Sequence, residues 1–242
     1  MQIHLQLKGK NVCLPMAYRH FVQGMIYRAL ERGDPSCSAN VHNGGNRLGT
    51  RQFKLFAFGP LTGSYTIEGR NICFSEQIFL EIRSADPVFV QTLLRRLNIG
   101  EVVMLGNHRL IVEKCLLEHK TVFQDKIRVQ MLSPIVAYVT QTDKSTRFFA
   151  PEEPQFYSLL QTNAMRKWGS VHGQDAPVSL SVVPEDRCSF RKQVTQFKTT
   201  RINAWFGAFE LTGEPAVLNF LYDTGLGAKN SQGFGMFRII DG

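Results

Sequence analysis

Hydrophobic and polar positions alternate from the first residues. In "MQIHLQLK", Ile3, Leu5 and Leu7 interleave with Gln2, His4 and Gln6, the period of a half-buried strand. The period then changes. In "LPMAYRHFVQGMIYRALERGDP", Tyr18, Phe21, Val22, Met25, Ile26 and Ala29 share one stripe of a 3.6-residue wheel, and His20, Gln23, Tyr27 and Glu31 fall opposite. Pro15 suits the start of this helix, and Gly33-Asp34-Pro35 its end. After the polar, glycine-rich "NVHNGGNRLGTRQ", strand-like runs follow in "FKLFAFG", "GSYTIEG", "NICFS" and "IFLEIRS". A second helix is expected in "ADPVFVQTLLRRLN", with Asp86 as its cap and Pro87 in its first turn. "GEVVMLG" and "RLIVEKCLL" read as further strands and close this half near residue 120.

The second half repeats the order. "KIRVQML" and "IVAYVTQ" are strand-like, "EEPQFYSLLQTNAMRKW" helical, and "PVSLSVV" and "AWFGAFELTG" strand-like again. A short helix, "PAVLNFLYD", precedes a glycine loop, and "GMFRII" is the last strand. Each half reads strand–helix–strands–helix–strand, the split βαβ order of a ferredoxin-like unit. The expected fold is α+β: two tandem ferredoxin-like (βαββαβ) domains, 1–120 and 121–242, packed side by side. There is no strict sequence repeat and no low-complexity linker between them.

Charge adds a direction. With 28 Lys+Arg against 20 Asp+Glu, the formal net charge is +8, which favours an anionic partner. The five cysteines are scattered without a C-x-x-C pair, and are expected to be reduced thiols. The N-terminus lacks the pattern of a signal peptide, and no apolar run is long enough to span a bilayer, so a soluble, cytoplasmic protein without a membrane partner is expected.

The loop "GLGAKNSQGFGMF" (225–237) carries Gly225, Gly227, Gly233 and Gly235 around Lys229, Asn230, Ser231 and Gln232. A nucleotide-binding loop needs a strand before its glycines and a helix after them. Here the order is helix, loop, strand, and no G-K-[ST] follows. Two readings remain: amides and a lysine offered to a large anion, or a tight turn that needs positive φ.

"YDTGLGAKNSQGFGMFRI" resembles the C-terminal signature of CRISPR-associated endoribonucleases, which cut precursor CRISPR RNA at its repeats. "LPMAYRHFVQGMIYRAL", "LSPIVAY" and "EEPQFYSLLQTNAMRKWG" resemble further segments of that family, so nearly the whole chain is covered. The resemblance implies two ferredoxin-like domains, a glycine loop that contacts repeat RNA, and metal-independent cleavage without a cofactor. Its catalytic tyrosine, histidine and lysine fall on Tyr27, His42 and Lys54. From the residues alone, Tyr27 also reads as a surface tyrosine and His42 as a plain loop histidine. Arg47 or Arg51 is an alternative source of the charge assigned to Lys54. The implied partners are repeat RNA, subunits of a CRISPR interference complex, and a second copy in a homodimer.

Such a reaction suits the residue types present. RNA's own 2′-hydroxyl can attack the adjacent phosphorus, which leaves proton transfer and charge stabilisation to the protein. No cluster of acidic residues or of His and Cys at zinc spacing is evident in the sequence. Arg191, Lys192, Lys198 and Arg201 lie near Phe190 and Phe197 in "SFRKQVTQFKTTRINAW". This stretch fits either an RNA-binding hairpin or a solvated one with two core phenylalanines. A non-catalytic RNA-binding subunit of the same fold and a nucleotide-binding enzyme are the rival functions.

Overall fold

The computed structural model describes residues 1–33, 46–48, 51–122, 124–173, 178–186 and 189–240. Four helices are described: α1 (Arg19–Gly33), α2 (Pro87–Arg96), α3 (Pro154–His172) and α4 (Pro215–Thr224). Two larger antiparallel sheets carry them. In the first, strand Gln2–Lys8 lies between Gln77–Ser84 and His108–Glu118, with Phe56–Phe58 and Val102–Leu105 at the edges. In the second, Lys126–Met131 lies between Ala208–Gly213 and Phe237–Ile239, with Leu180–Pro184 outermost.

The two sheets share one topology. In each, the first strand of the half is central, the strand after the second helix is on one side, and the hairpin strands are on the other. This is the ferredoxin-like arrangement expected from the order of elements.

Periodicity explains most of the local structure. Strand Gln2–Lys8 buries Ile3, Leu5 and Leu7 beneath α1, whose Val22, Met25, Ile26, Ala29 and Leu30 face them in one core. Asp86 caps α2 as expected: its Oδ1 accepts from the amides of Val88, at 2.9 Å, and Phe89, at 3.3 Å. Such a cap contributes about 1 kcal/mol to helix stability.

Three expectations are corrected. Pro15 ends a strand, Val12–Pro15, instead of opening α1, which starts four residues later at Arg19. Proline's fixed φ and missing amide suit the end of a strand as well as the first turn of a helix. "AWFGAFELTG" breaks at Gly207 into strands of separate sheets, Thr200–Phe206 and Ala208–Gly213. Phe190 lies against Gly207, where a β-carbon would collide with its ring. Finally, Cys13 and Cys73 are disulfide-bonded, not reduced. They are register partners on strands Val12–Pro15 and Asn71–Phe74, which their 60-residue separation concealed. Cys115 is a free thiol, and Cys37 and Cys188 lie outside the described residues.

Candidate RNA-cleavage site

A cleft of about 1150 Å³ opens where α1, α3, the glycine loop and the hairpin Arg191–Phe206 converge. From α1 come His20, Gln23 and Tyr27, which the wheel placed on the polar face. Lys54 comes from the extended segment that follows strand Arg51–Phe53. Its neighbours Phe53 and Leu55 are buried in the core of the second sheet, and alternation turns Lys54 the other way. "FKL" is therefore a sequence signal for a lysine held at the seam between two cores.

The Lys54 ammonium donates to the Tyr27 phenol oxygen at 2.8 Å. Tyr27 also meets Phe56 edge-to-face, with ring centroids 6.2 Å apart. Burial raises the Tyr27 pKa to about 12, so the phenol is neutral near pH 7. Burial lowers the Lys54 pKa, and the nearby charge of Lys198 lowers it further. Because the phenol oxygen accepts from the lysine, the phenol proton is directed away from it.

Across the cleft, Lys229, Asn230, Ser231 and Gln232 contribute to the lining. Lys229 has φ +63° and sits over the Tyr138 ring at 4.7 Å, and burial lowers its pKa. The loop is tied directly to α1. Gln23 Nε2 donates to the Ser231 carbonyl at 2.7 Å, and Arg19 Nε to the Gly233 carbonyl at 3.1 Å. Gln23 and Tyr27 are one turn apart, so the helix that presents the phenol also holds the loop. Sequence reasoning placed Gln23 on the polar face without assigning it a role, and overlooked Arg19.

Gly225, Gly227, Gly233 and Gly235 do not line the cleft. All four have positive φ, between +73° and +86°, and they shape the loop from within. A β-carbon on Gly233 would sit 2.5 Å from the buried Phe58 ring, and one on Gly235 would collide with the Leu226 carbonyl. Asn230 is turned inward, its amide bonded within the loop and to Lys167.

The hairpin divides similarly. Lys198, at its tip with φ +53°, lines the cleft, whereas Arg191, Lys192 and Arg201 do not. Arg191 lies over Phe206 at 4.4 Å, and Lys192 over Trp205 at 5.9 Å. Arg47 and Arg51 occupy the backbone of paired strands Asn46–Leu48 and Arg51–Phe53. His42 lies outside the described residues. His20 is in the cleft, its Nδ1 2.9 Å from the Ala17 carbonyl.

The family described as "CRISPR associated protein Cas6, C-terminal" matches residues 117–239. The chain belongs to the Cas6 family. It is 25% identical over 239 residues to the CRISPR-associated endoribonuclease Cas6 of Pyrococcus furiosus, covering 96% of this chain and 86% of that protein. It is 22% identical over 263 residues to CRISPR-associated endoribonuclease Cas6 1 of Methanocaldococcus jannaschii, covering 100% and 93%. Among solved structures, an RAMP protein binding different RNA substrates superposes with a TM-score of 0.84 at 18% identity, covering 100% of both chains. The product of a Cas6-related gene from Pyrococcus furiosus gives 0.83 at 19%, covering 100% and 98%. These structural likenesses support the tandem ferredoxin-like fold.

Proposed function

We propose that this Cas6-family chain is an endoribonuclease that cuts precursor CRISPR RNA within its repeat, with its catalytic groups on residues 1–120 and its glycine loop on 121–242. The observation that carries the proposal is the 2.8 Å Lys54–Tyr27 pair facing the Lys229–Gln232 segment across one cleft. The substrate's 2′-oxygen attacks phosphorus, a P–O2′ bond forms, and the P–O5′ bond breaks. The products are a 2′,3′-cyclic phosphate and a 5′-hydroxyl. One proton leaves the 2′-hydroxyl and one reaches the departing 5′-oxygen.

We assign proton transfer to His42, whose ordinary pKa is suited to it near neutrality. Tyr27, neutral because burial raises its pKa, donates its phenol proton to a phosphoryl oxygen or orients the nucleophile. Lys54, in preference to Arg47 or Arg51, supplies positive charge to the crowded phosphorane. Lys229 and Lys198 hold flanking phosphates, and Arg191, Lys192 and Arg201 extend the basic surface along the hairpin. Gly225, Gly227, Gly233 and Gly235, with Asn230, fix the loop that offers Ser231 and Gln232 to the RNA.

Because the nucleophile belongs to the RNA, the route needs no metal or other cofactor. No described helix is long and apolar enough to cross a membrane. The proposal places the protein in the cytoplasm, where the cut RNA passes to an interference complex, and extends to a homodimer.

The test is cleavage of a repeat RNA with and without EDTA, and of the same RNA with a single 2′-deoxy substitution at the scissile position. One cut, unchanged by EDTA and abolished by the substitution, is expected. A deoxy substrate still cut at that bond would refute the mechanism. Binding without any cleavage would favour the non-catalytic subunit.

A further inference from the structure

Helix α3 buries Phe156, Leu160, Ala164 and Lys167 along one stripe, so a lysine occupies a position that its neighbours make apolar. The Lys167 side chain is 2% exposed. An ammonium in such a place is retained only where oxygens replace its water. Lys167 Nζ donates to the Gly225 carbonyl at 2.6 Å and to Asn230 Oδ1 at 2.8 Å. It makes a longer contact, 3.4 Å, with the Thr224 carbonyl. There is thus one oxygen for each N–H of the ammonium. The two carbonyls are at the C-terminus of α4, where aligned peptide dipoles leave partial negative charge.

Asn230 extends the contact through the loop. Its Nδ2 donates to the carbonyls of Leu226, at 3.2 Å, and Phe234, at 3.0 Å. One side-chain amide therefore links the lysine to both limbs of the loop. Burial pushes the Lys167 pKa down to about 7. The three oxygens and the helix dipole favour the charged form, since a neutral amine would turn a lone pair toward one of those oxygens. The ammonium is the form that fits. On the outer side of the same loop, Lys229, Ser231 and Gln232 line the cleft.

We infer that Lys167 is a positioning residue: a buried ammonium that, through Asn230, holds residues 225–235 in the shape that receives RNA phosphates, without itself touching RNA. The inference rests on the ribonuclease proposal only for the identity of the ligand. It predicts an effect on affinity that exceeds the effect on chemistry, which a merely structural lysine would not produce in a folded protein.

The test compares wild type, Lys167→Met, Asn230→Ala and the double variant, each shown to be folded at the assay temperature. Affinity for a 2′-deoxy repeat RNA should fall at least about tenfold in each single variant, the size of one buried acceptor left unsatisfied. The single-turnover rate on bound, cleavable RNA should fall less. Because both residues act through one loop geometry, the double variant should bind no worse than the poorer single variant. Amide hydrogen exchange across 226–236 should accelerate in Lys167→Met and Asn230→Ala. Affinity within twofold of wild type in folded Lys167→Met, or strictly additive losses, would overturn the inference. If Lys167→Met does not fold, Asn230→Ala decides on the same two readouts. If wild type does not bind repeat RNA, the ribonuclease proposal falls, and unchanged exchange in either variant would then overturn the brace separately.

Discussion

Replacing Lys54 with methionine removes a charge while keeping most of the side chain's apolar length. In the wild type its ammonium is 2.8 Å from the Tyr27 oxygen and half-buried at the seam between the two cores. A preorganised donor aimed at a developing oxyanion contributes about 10²–10³ in rate. Two unit charges 4 Å apart interact by about 4 kcal/mol at the effective dielectric of a protein surface, which sets an upper limit of about 10³. Lys54→Met should therefore slow single-turnover cleavage by about 10²–10³-fold. Affinity should change little by comparison, because Lys229 and Lys198 also line the cleft. The assay is end-labelled repeat RNA with saturating enzyme, alongside a titration with the 2′-deoxy analogue. Tyr27→Phe and the double variant complete a thermodynamic cycle. The hydrogen-bonded pair should give strongly non-additive losses. A Lys54→Met enzyme that cleaves within threefold of wild type, with normal affinity, would refute the assignment of charge to Lys54.

Four further outcomes follow from the same geometry. Lys54 acts protonated and its pKa is lowered by burial and by Lys198, so cleavage should decline with rising pH below the ordinary lysine value of 10.5. Lys198→Ala should move that decline to higher pH, as a rate profile will show, while Tyr27, at about 12, adds nothing to it near neutrality. His42→Ala should lower the single-turnover rate by about 10²–10⁴-fold with near-normal affinity. His20→Ala should be mild, because two helical turns, about 10 Å, separate His20 from Tyr27 along the axis, and a collapse in His20→Ala alone would reverse the assignment. Arg83 is 2% exposed and bonds Glu81 at 2.5 Å and the Phe237 carbonyl at 2.7 Å. Arg83→Met should therefore destabilise the protein by about 3–5 kcal/mol in urea unfolding. Gly233→Val, which drives a β-carbon into Phe58, should weaken repeat binding in a filter or anisotropy titration more than it slows the cutting of bound RNA.

The ferredoxin-like order was legible because each element carries its own local signal. Alternation marked Gln2–Lys8, Asp86-Pro87 marked the start of α2, and the wheel of α1 set Tyr27 apart from the core stripe. What escaped depends on residues distant in sequence. Pro15 was ambiguous because the strand Asn71–Phe74, which pairs with its own, lies about sixty residues on, and the same pairing brings Cys13 to Cys73. The Tyr27–Lys54 contact came from the resemblance, although the alternation in "FKL" was a local clue to the lysine's direction. Lys167 had a local signal too, a cation on the stripe of Phe156, Leu160 and Ala164. Its three acceptors, however, come from residues 57 to 63 positions later. Gln23 lay on the expected face, but only folding brings Ser231 to it.

The inward work of the loop glycines changes what their spacing means when it is met in another chain. Gly233 leaves room for Phe58, and Gly235 leaves room for the Leu226 carbonyl. Neither requirement involves the scissile bond. A descendant that exchanged Tyr27 and Lys54 for inert residues would still need these glycines in order to fold, and would keep the whole motif unchanged. The motif is therefore a record of ancestry and architecture, inherited alike by chains that cut RNA and chains that only hold it. Whether a relative has kept the chemistry is written some 170 to 200 residues earlier, on the first helix and on the segment that follows it.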